Sequence, residues 1–375
     1  MWLTIWWGIT VIILIVWAAP TFWERYVYPR IEVQAVPLDK VVNLGDHVRF
    51  RCRLTNPTRF SCSRLQLTWQ LPDQLRVPTE KYEAEVIIET SIPARHTSEV
   101  SFTLIAVRRG TAIWRESDIV FTDVFGLRKS YRTVYMEGQT IVRPARNNTH
   151  QVIHRFAELL GSLRAHRLYH EDPTALMKIR PYREGDSWKH VSWLSTARSN
   201  GLMVKQFGYT TYGNVWIVLN GQMLPRYWVA PEPRHIDLLC ERVVQFSEQA
   251  LRVGLSVGLL SNVRDDTSQI VVEKPRSKKE QFERICTKMG AVTNHPVSSF
   301  ASLVDMTGHY VKSSDAVVFI TSYLDEETAG ALQALLRKCK NLFIYYAGME
   351  KAGELRGIPI VYEREAERLD EGGGI

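Results

Sequence analysis

Four kinds of absence narrow this sequence before any motif is weighed. Its five cysteines, Cys52, Cys62, Cys240, Cys286 and Cys339, are odd in number and scattered, with no Cys-x-x-Cys pair. That excludes a disulfide framework and a cysteine zinc site and reads as buried thiols in a reducing compartment. A Cys52–Cys62 bridge becomes an option only on the oxidising side of a membrane. There is also no Walker A loop, no His-Glu-x-x-His helix and no dinucleotide glycine fingerprint, which removes the common nucleotide-dependent and zinc-hydrolase classes. Low-complexity tracts and internal repeats are absent as well. Finally, residues 1–23 hold no ionisable side chain at all.

That last absence identifies the amino terminus. As a helix, residues 1–23 extend about 35 Å, enough to cross a roughly 30 Å hydrocarbon core. Trp2, Trp6 and Trp7 at one end and Trp17, Trp23, Tyr26 and Tyr28 at the other suit aromatic belts. A cleaved signal peptide would need a basic start and a shorter apolar core, and no Lys or Arg precedes Arg25. The segment is expected to be a transmembrane anchor over 1–28. Arg25, Arg30 and Lys40 follow it, so the positive-inside rule places the soluble part in the cytoplasm, single-pass. The net charge of +7 then reads as attraction to an anionic leaflet, because no basic helix or aromatic signature for nucleic acid accompanies it.

Two domains are expected after the anchor. Over 31–145 the chain alternates in the manner of antiparallel strands. Val48-Arg-Phe-Arg-Cys-Arg-Leu54 sets apolar residues against three arginines. Leu65, Leu67, Trp69 and Leu71 repeat the device, as do Tyr82, Ala84, Val86 and Ile88, then Val100, Phe102, Leu104 and Ala106. Turn residues between these runs point to an immunoglobulin-like β-sandwich. Residues 146–211 form a connector helix, with Phe156, Leu159, Leu160 and Leu163 on one face, and a charged segment. Over 212–363, apolar runs at 215–219, 255–260, 316–320, 342–346 and 358–361 alternate with helical periods, which predicts a mostly parallel α/β sheet. Residues 364–375 form a flexible tail. Nothing in the sequence sets an oligomeric state.

The most informative stretch is Arg180-Pro-Tyr-Arg-Glu-Gly-Asp-Ser-Trp-Lys-His-Val-Ser-Trp-Leu-Ser-Thr-Ala-Arg198, continuing to Lys205-Gln-Phe207. It carries neither a helical nor a strand period and precedes a strongly apolar run. Arg180, Tyr182, Arg183, Gly185, Asp186, Trp193, Ala197, Arg198 and Lys205 are its candidate partner-binding residues. In one reading Arg180, Arg183 and Arg198 pair with Glu184 and Asp186, while Trp188 and Trp193 pack the loop against the sheet. In the other, surplus cations meet an acidic partner or a phosphate, since 178–205 holds six Lys and Arg against two acidic residues.

Arg180, Tyr182, Gly185, Asp186, Trp193, Ala197, Arg198, Lys205 and Phe207 fall in step with the signature of the bacterial family catalogued as domain of unknown function 58, which this stretch resembles. Ser192, Gln206 and Lys189 stand where that family usually has Asp, Glu and Arg. Thr122-Asp-Val-Phe-Gly-Leu127 is similar to the segment closing the family's β-rich region. The resemblance implies that the α/β domain has a von Willebrand factor A-like fold with a metal-ion-dependent adhesion site at its strand edge. Here the positions of that site are Asn220, Gln222, Leu224 and Ser322, which supply no carboxylate, so no Mg²⁺ and no cofactor are expected. The resemblance further implies a non-catalytic membrane-anchored adaptor acting with a MoxR-type AAA+ ATPase, in protein maturation or cell-envelope processes. One alternative is an outward-facing binder of envelope polymer or a small ligand. Another is a hydrolase built on His166, His170 and a nearby carboxylate; the pairs His150/His154 and His166/His170 have zinc-compatible spacing but lie in polar connector sequence.

Overall fold

The computed structural model describes residues 2–79, 83–123, 126, 128–146, 171–209, 214–229, 232–265, 270–348 and 355–363. The expected connector helix, the four connector histidines and the tail lie outside them. The described chain begins with helix α1, Trp2–Phe22, whose apolar side chains are exposed on every side, Trp7 by 71% and Trp17 by 73%. Such a helix has no face set aside for a protein core. It is long and apolar enough to cross a membrane. Helical backbone continues as a π turn, Trp23–Val27, and a 3₁₀ turn, Tyr28–Arg30.

Two units follow from the contacts within the chain. The first comprises residues 1–145 with 265–267 and 286–293. Its strands are β1 (Glu32–Pro37), β2 (Val41–Asn43), β3 (His47–Asn56), β4 (Cys62–Gln70), β5 (Leu75–Arg76), β6 (Glu85–Ile92), β7 (His96–Ala106), β8 (Gly110–Thr122) and β9 (Lys129–Arg143). They form one sheet of order β1-β3-β7-β5 and another of order β2-β9-β8-β4-β6. Period-two alternation builds both. On β3, Val48, Phe50, Cys52 and Leu54 turn inward, while Arg49 and Arg53 reach Asp39 at 2.8 Å and Glu99 at 2.7 Å on the wet face. Leu65, Leu67 and Trp69 of β4 join the same buried core. Within it Phe50 lies 4.1 Å from Trp114 between ring centroids. Cys52 and Cys62 are buried free thiols, and burial pushes each up to about 12, so neither is a thiolate at neutral pH.

The second unit comprises 146–264, 268–285 and 294–375. Strands β10 (Glu171–Pro181) and β11 (Met203–Tyr209) form a two-stranded antiparallel sheet of their own. The main sheet is built from β12 (Val215–Leu219), β13 (Val257–Arg264), β14 (Ile270–Arg276), β15 (Ala316–Thr321), β16 (Asn341–Tyr346) and β17 (Ile360–Tyr362), in the order β14-β13-β12-β15-β16-β17. All neighbours are parallel except β13 and β14. Every residue of β12 is buried, as a strand covered on both faces requires. Residue parity assigns those faces. Helix α3 (Pro233–Arg252) covers one, with Phe246 5.2 Å from Tyr345. Helices α5 (Phe300–Tyr310) and α6 (Glu326–Lys338) cover the other, where Phe300 meets Phe319 at 5.7 Å. Two further helices are the single turn α2 (Trp193–Thr196) and α4 (Lys279–Ala291). The antiparallel edge strand β14 was not among the expected strands. Its Lys274-Pro275 is edge-strand chemistry that masks an apolar run.

A buried ion pair ties α3 to the end of β17. The Arg242 Nε donates to Glu363 Oε2 at 3.0 Å and to the Tyr345 hydroxyl at 3.1 Å, and its Nη1 donates to Gln245 at 2.9 Å. Both charged side chains are about 5% exposed (5% and 6%). Removing one partner strands the other charge away from water. Glu363→Ala is therefore expected to lower the unfolding free energy by about 3–5 kcal/mol, read by urea denaturation of the detergent-solubilised protein, whereas the double change Arg242→Met with Glu363→Leu recovers most of the loss.

Candidate functional site

The carboxyl ends of β12 and β15 meet where the strand order reverses, the position at which open α/β sheets take ligands. The backbone leaving β12 carries Asn220 and Gln222, both buried. Asn220 donates through Nδ2 to the Thr321 hydroxyl at 2.8 Å and to the Gln222 carbonyl at 3.2 Å. Its Oδ1 accepts from the Gln222 amide at 3.0 Å and from Asn262 Nδ2 at 2.8 Å. Asn262 in turn accepts from the Gly221 amide at 2.8 Å. Gln222 Oε1 accepts from the Phe300 amide at 2.6 Å, which satisfies a free donor at the start of α5. Gly221 sits so close to Val263 that a Cβ there would lie 2.3 Å from its methyl. The neutral amides are spent on one another, and Leu224, 48% exposed, contributes only its carbonyl, to Gln222.

Ser322 takes a different part. Its hydroxyl lies 2.8 Å from His235 Nε2, and the same nitrogen lies 3.1 Å from the Ala347 carbonyl. A ring nitrogen that donates to a carbonyl cannot also accept the serine proton, and no carboxylate among the described residues orients the other nitrogen. The pair therefore lacks the third member of a nucleophile–base–orienter set. One letter pattern escaped the sequence reading: Gly254-Leu-Ser256-Val-Gly258 matches the Gly-x-Ser-x-Gly of hydrolase elbows. Here Gly254, at φ +81°, ends α3 and the segment runs into β13, the reverse of the strand-to-helix turn that an elbow needs. Asn262 and His235, and the pairing of Thr321 with Asn220, were also missed. Asn262, Thr321 and His235 lie 42, 101 and 87 positions from their partners Asn220 and Ser322, distances over which no local signal exists.

The Arg180–Lys205 stretch departs from the expectation of irregular backbone. Arg180 pairs with Val204 and Ile179 with Lys205, so its two ends are the strands β10 and β11 of a hairpin. Between them Arg183-Glu-Gly-Asp186 makes a tight turn: the Asp186 amide donates to the Arg183 carbonyl at 3.0 Å and Gly185 takes φ +99°. A positive φ at the third position calls for glycine. Asp186 then accepts both Arg180 Nη1 at 2.7 Å and Nη2 at 2.8 Å, and the Arg183 amide at 2.8 Å. The Arg180 guanidinium, with help from the Arg183 amide, holds the Asp186 carboxyl down at about 2. Farther on, Ser192 and Val191 are buried, and the Ser192 amide donates to the Met203 carbonyl at 2.8 Å.

The other expected pairs do not form. Arg183, Glu184 and Arg198 are exposed, and Arg183 meets Asp186 through its backbone amide. Lys178, Lys189 and Lys205 are exposed as well, without carboxylate partners among the described residues. Nor do the tryptophans pack the loop inward: Trp188 is 63% exposed and Trp193 and Leu194 are each 68% exposed. Trp188 leans only on Tyr182, with ring centroids 5.4 Å apart. Ala197 is exposed beside them. In the upstream Thr122–Leu127 segment, Asp123 is buried and Gly126 takes φ +72°, while Val124, Phe125 and Leu127 lie outside the described residues.

A family model described as protein of unknown function DUF58 matches residues 178–345, from the hairpin through β16, and supports assignment to that family. No curated protein matches the chain. Among solved structures, the CARDB domain of a Pyrococcus furiosus protein is 7% identical, covering 30% of this chain and 94% of that one at a TM-score of 0.19. A β-glucosidase from Listeria innocua is 13% identical over 31% of this chain and 16% of that one, at 0.17. A conjugative transposon lipoprotein from Bacteroides eggerthii is 14% identical over 28% and 96%, at 0.19. Scores this low assign neither fold nor function.

Two outcomes follow. Asp186 titrates below its ordinary 3.8, so its stabilisation of the turn is complete above that pH and is lost as pH falls through about 2; an NMR titration of the carboxyl carbon should show this, and Arg180→Met should move the midpoint back up. Asn220→Asp removes two buried donors, at a cost of about 1–3 kcal/mol for each acceptor left unsatisfied. Its melting temperature is expected to fall, and millimolar Mg²⁺ should not restore it.

Proposed function

We propose that the chain is a non-catalytic, membrane-anchored adaptor that engages a MoxR-type AAA+ ATPase through the loop 182–202, in protein maturation or cell-envelope processes. The observation that carries this reading is the loop surface: Trp188, Trp193 and Leu194 lie open to solvent beside the unpaired cations Arg183, Lys189 and Arg198. Aromatic and arginine side chains dominate the binding energy of protein interfaces, and exposed apolar clusters rimmed by charge mark contact sites. The cationic rim suits an acidic partner surface.

Several features support the remaining parts. Counting from β12, the sheet order is 3-2-1-4-5-6 with the third strand antiparallel, which favours a von Willebrand factor A-like domain. The two sheets of the first unit favour an immunoglobulin-like sandwich. The closed amide network favours metal-free binding over an adhesion site. Helix α1 favours membrane anchoring, and the cations after it favour a cytoplasmic soluble part. The incomplete Ser322–His235 pair argues against a hydrolase.

A second reading rests on a separate observation. Tyr131 and Tyr135, 73% and 80% exposed, project from the outer face of β9, as flat rings do in binders of extended polymers, and such a role would suit an outward-facing sandwich. A reporter fused to the carboxyl terminus separates the two: a cytoplasmic signal supports the adaptor.

In-membrane crosslinking with mass spectrometry, with and without ATP, tests the adaptor directly. Wild type is expected to capture an AAA+ ATPase and Arg183→Glu to lose it. Trp193→Ala should weaken the complex by about 2 kcal/mol, roughly thirty-fold, with an unchanged melting temperature. Crosslinks confined to envelope components would overturn the proposal.

A further inference from the structure

Helix α1 enters the sandwich with no linker between them. Val27, Tyr28 and Ile31, immediately after the π turn, are 0%, 5% and 1% exposed and belong to the sandwich core. The Tyr28 ring stacks on Phe121 at 4.4 Å, and its carbonyl accepts from Arg132 at 2.8 Å. The direction of the helix is thus set by the packing of the β-domain. A second contact lies nearer the helix end. Phe60, on the loop between β3 and β4, has its ring 5.1 Å from Phe22 and 5.4 Å from Trp23. The Trp23 indole donates to the Ser61 carbonyl at 3.0 Å.

That loop is held in place by one buried amide. Asn56, 1% exposed, donates to the Phe60 carbonyl at 2.8 Å and the Pro93 carbonyl at 3.1 Å, while its oxygen accepts the Thr58 amide at 3.0 Å and hydroxyl at 2.7 Å. The spatial consequence is simple. Phe22 stands about 30 Å along the helix from Trp2, at the far boundary of a hydrocarbon core of roughly that thickness. A ring that touches Phe22 and Trp23 shares their depth.

We infer that the loop Pro57–Ser61 is an interfacial foot: Phe60 seats at the hydrocarbon boundary, and Arg59, with Arg25 and Arg30, lies among phospholipid headgroup phosphates. This rests on the reading of α1 as a membrane anchor. Phe60 remains 42% exposed and Tyr26 46%, an apolar and amphipathic rim of the kind that occupies the membrane interface. Arg59 is exposed, and Arg30 is folded back onto the Tyr26 carbonyl at 2.8 Å. Arg128 closes the ring of cations by facing Glu24 at 3.7 Å and the Thr21 hydroxyl at 3.4 Å. Guanidinium groups suit phosphate oxygens in such a belt. The β-domain would then be fixed against the bilayer by two contacts, a spanning helix and a loop, in place of a swivelling tether.

The test is a nitroxide depth measurement on the full chain in phospholipid vesicles, with single labels at Phe60→Cys, Ile12→Cys and Ile113→Cys. The described native thiols are buried, so labelling is directed to the introduced sites. Ile113 is nine positions along β8 from Thr122, about 30 Å away, and serves as the aqueous reference. The label at 60 is expected to collide with a water-soluble nickel chelate several-fold less often than the label at 113, and with oxygen less often than the label at 12. If the label at 60 matches the label at 113 while the label at 12 stays in the bilayer, the foot is overturned and the anchor stands. If the label at 12 is itself open to the chelate, the anchor reading falls. An Arg59→Cys label, which leaves Phe60 in place, covers the case in which Phe60→Cys fails to fold, and it too should be shielded from the chelate relative to 113.

Discussion

A polar atom taken out of water must find a partner, and the carboxyl edge of the main sheet is arranged around that constraint. Asn220 spends both amide protons and its oxygen on Thr321, Gln222 and Asn262, joining the ends of β12, β13 and β15. Gln222 carries the network on to the first amide of α5. A carboxylate at Asn220 could accept but not donate, and it would need a cation to balance its charge. The neutral network removes that need. At the edge where an open α/β sheet takes its ligands, the Asn220 amide is thus committed to the scaffold.

The hairpin is the stretch proposed for recognition. Its best-defined charges are structural: Arg180 and Asp186 form a bidentate pair, and Gly185 supplies the one backbone conformation that lets the turn close on it. What that framework leaves over is a set of exposed cations and two open tryptophans. The two readings of this stretch divide by residue: pairing accounts for Arg180 and Asp186, and Arg183, Lys189 and Arg198 are the cations left for the proposed partner surface.

How much of this could be read from sequence depends on the range of the interactions. Val48 to Leu54 announces a strand because alternation is local, and Val215 to Leu219 announces a buried one because all its residues are apolar. The β10–β11 hairpin gave no such signal: a two-stranded ribbon set apart from the main sheet needs no apolar period, and its charges follow the turn. Trp188 and Trp193 misled for the opposite reason, since large apolar side chains are usually interior and only the fold reveals that these two stand mostly exposed. Asn220 was legible as a position without charge. That it is closed by Asn262 and Thr321 was not, because those partners are distant in sequence and are brought to it only by parallel pairing.

Trp188 and Trp193 stand mostly exposed on a loop whose backbone is well fixed, the arrangement that a preorganised docking surface requires. Binding costs the ordering of whatever is mobile beforehand. Here the ordering is done during folding, by the Arg180–Asp186 pair, the Gly185 turn and the Ser192–Met203 backbone bond. A partner arriving at Trp193 and Leu194 would find their backbone already in place, so most of the apolar area it covers would count toward affinity. Loosening the turn through Asp186, whose carboxylate is spent on Arg180 and on the Arg183 amide, should accordingly weaken association with the proposed partner, which separates a preorganised docking loop from one that folds on contact.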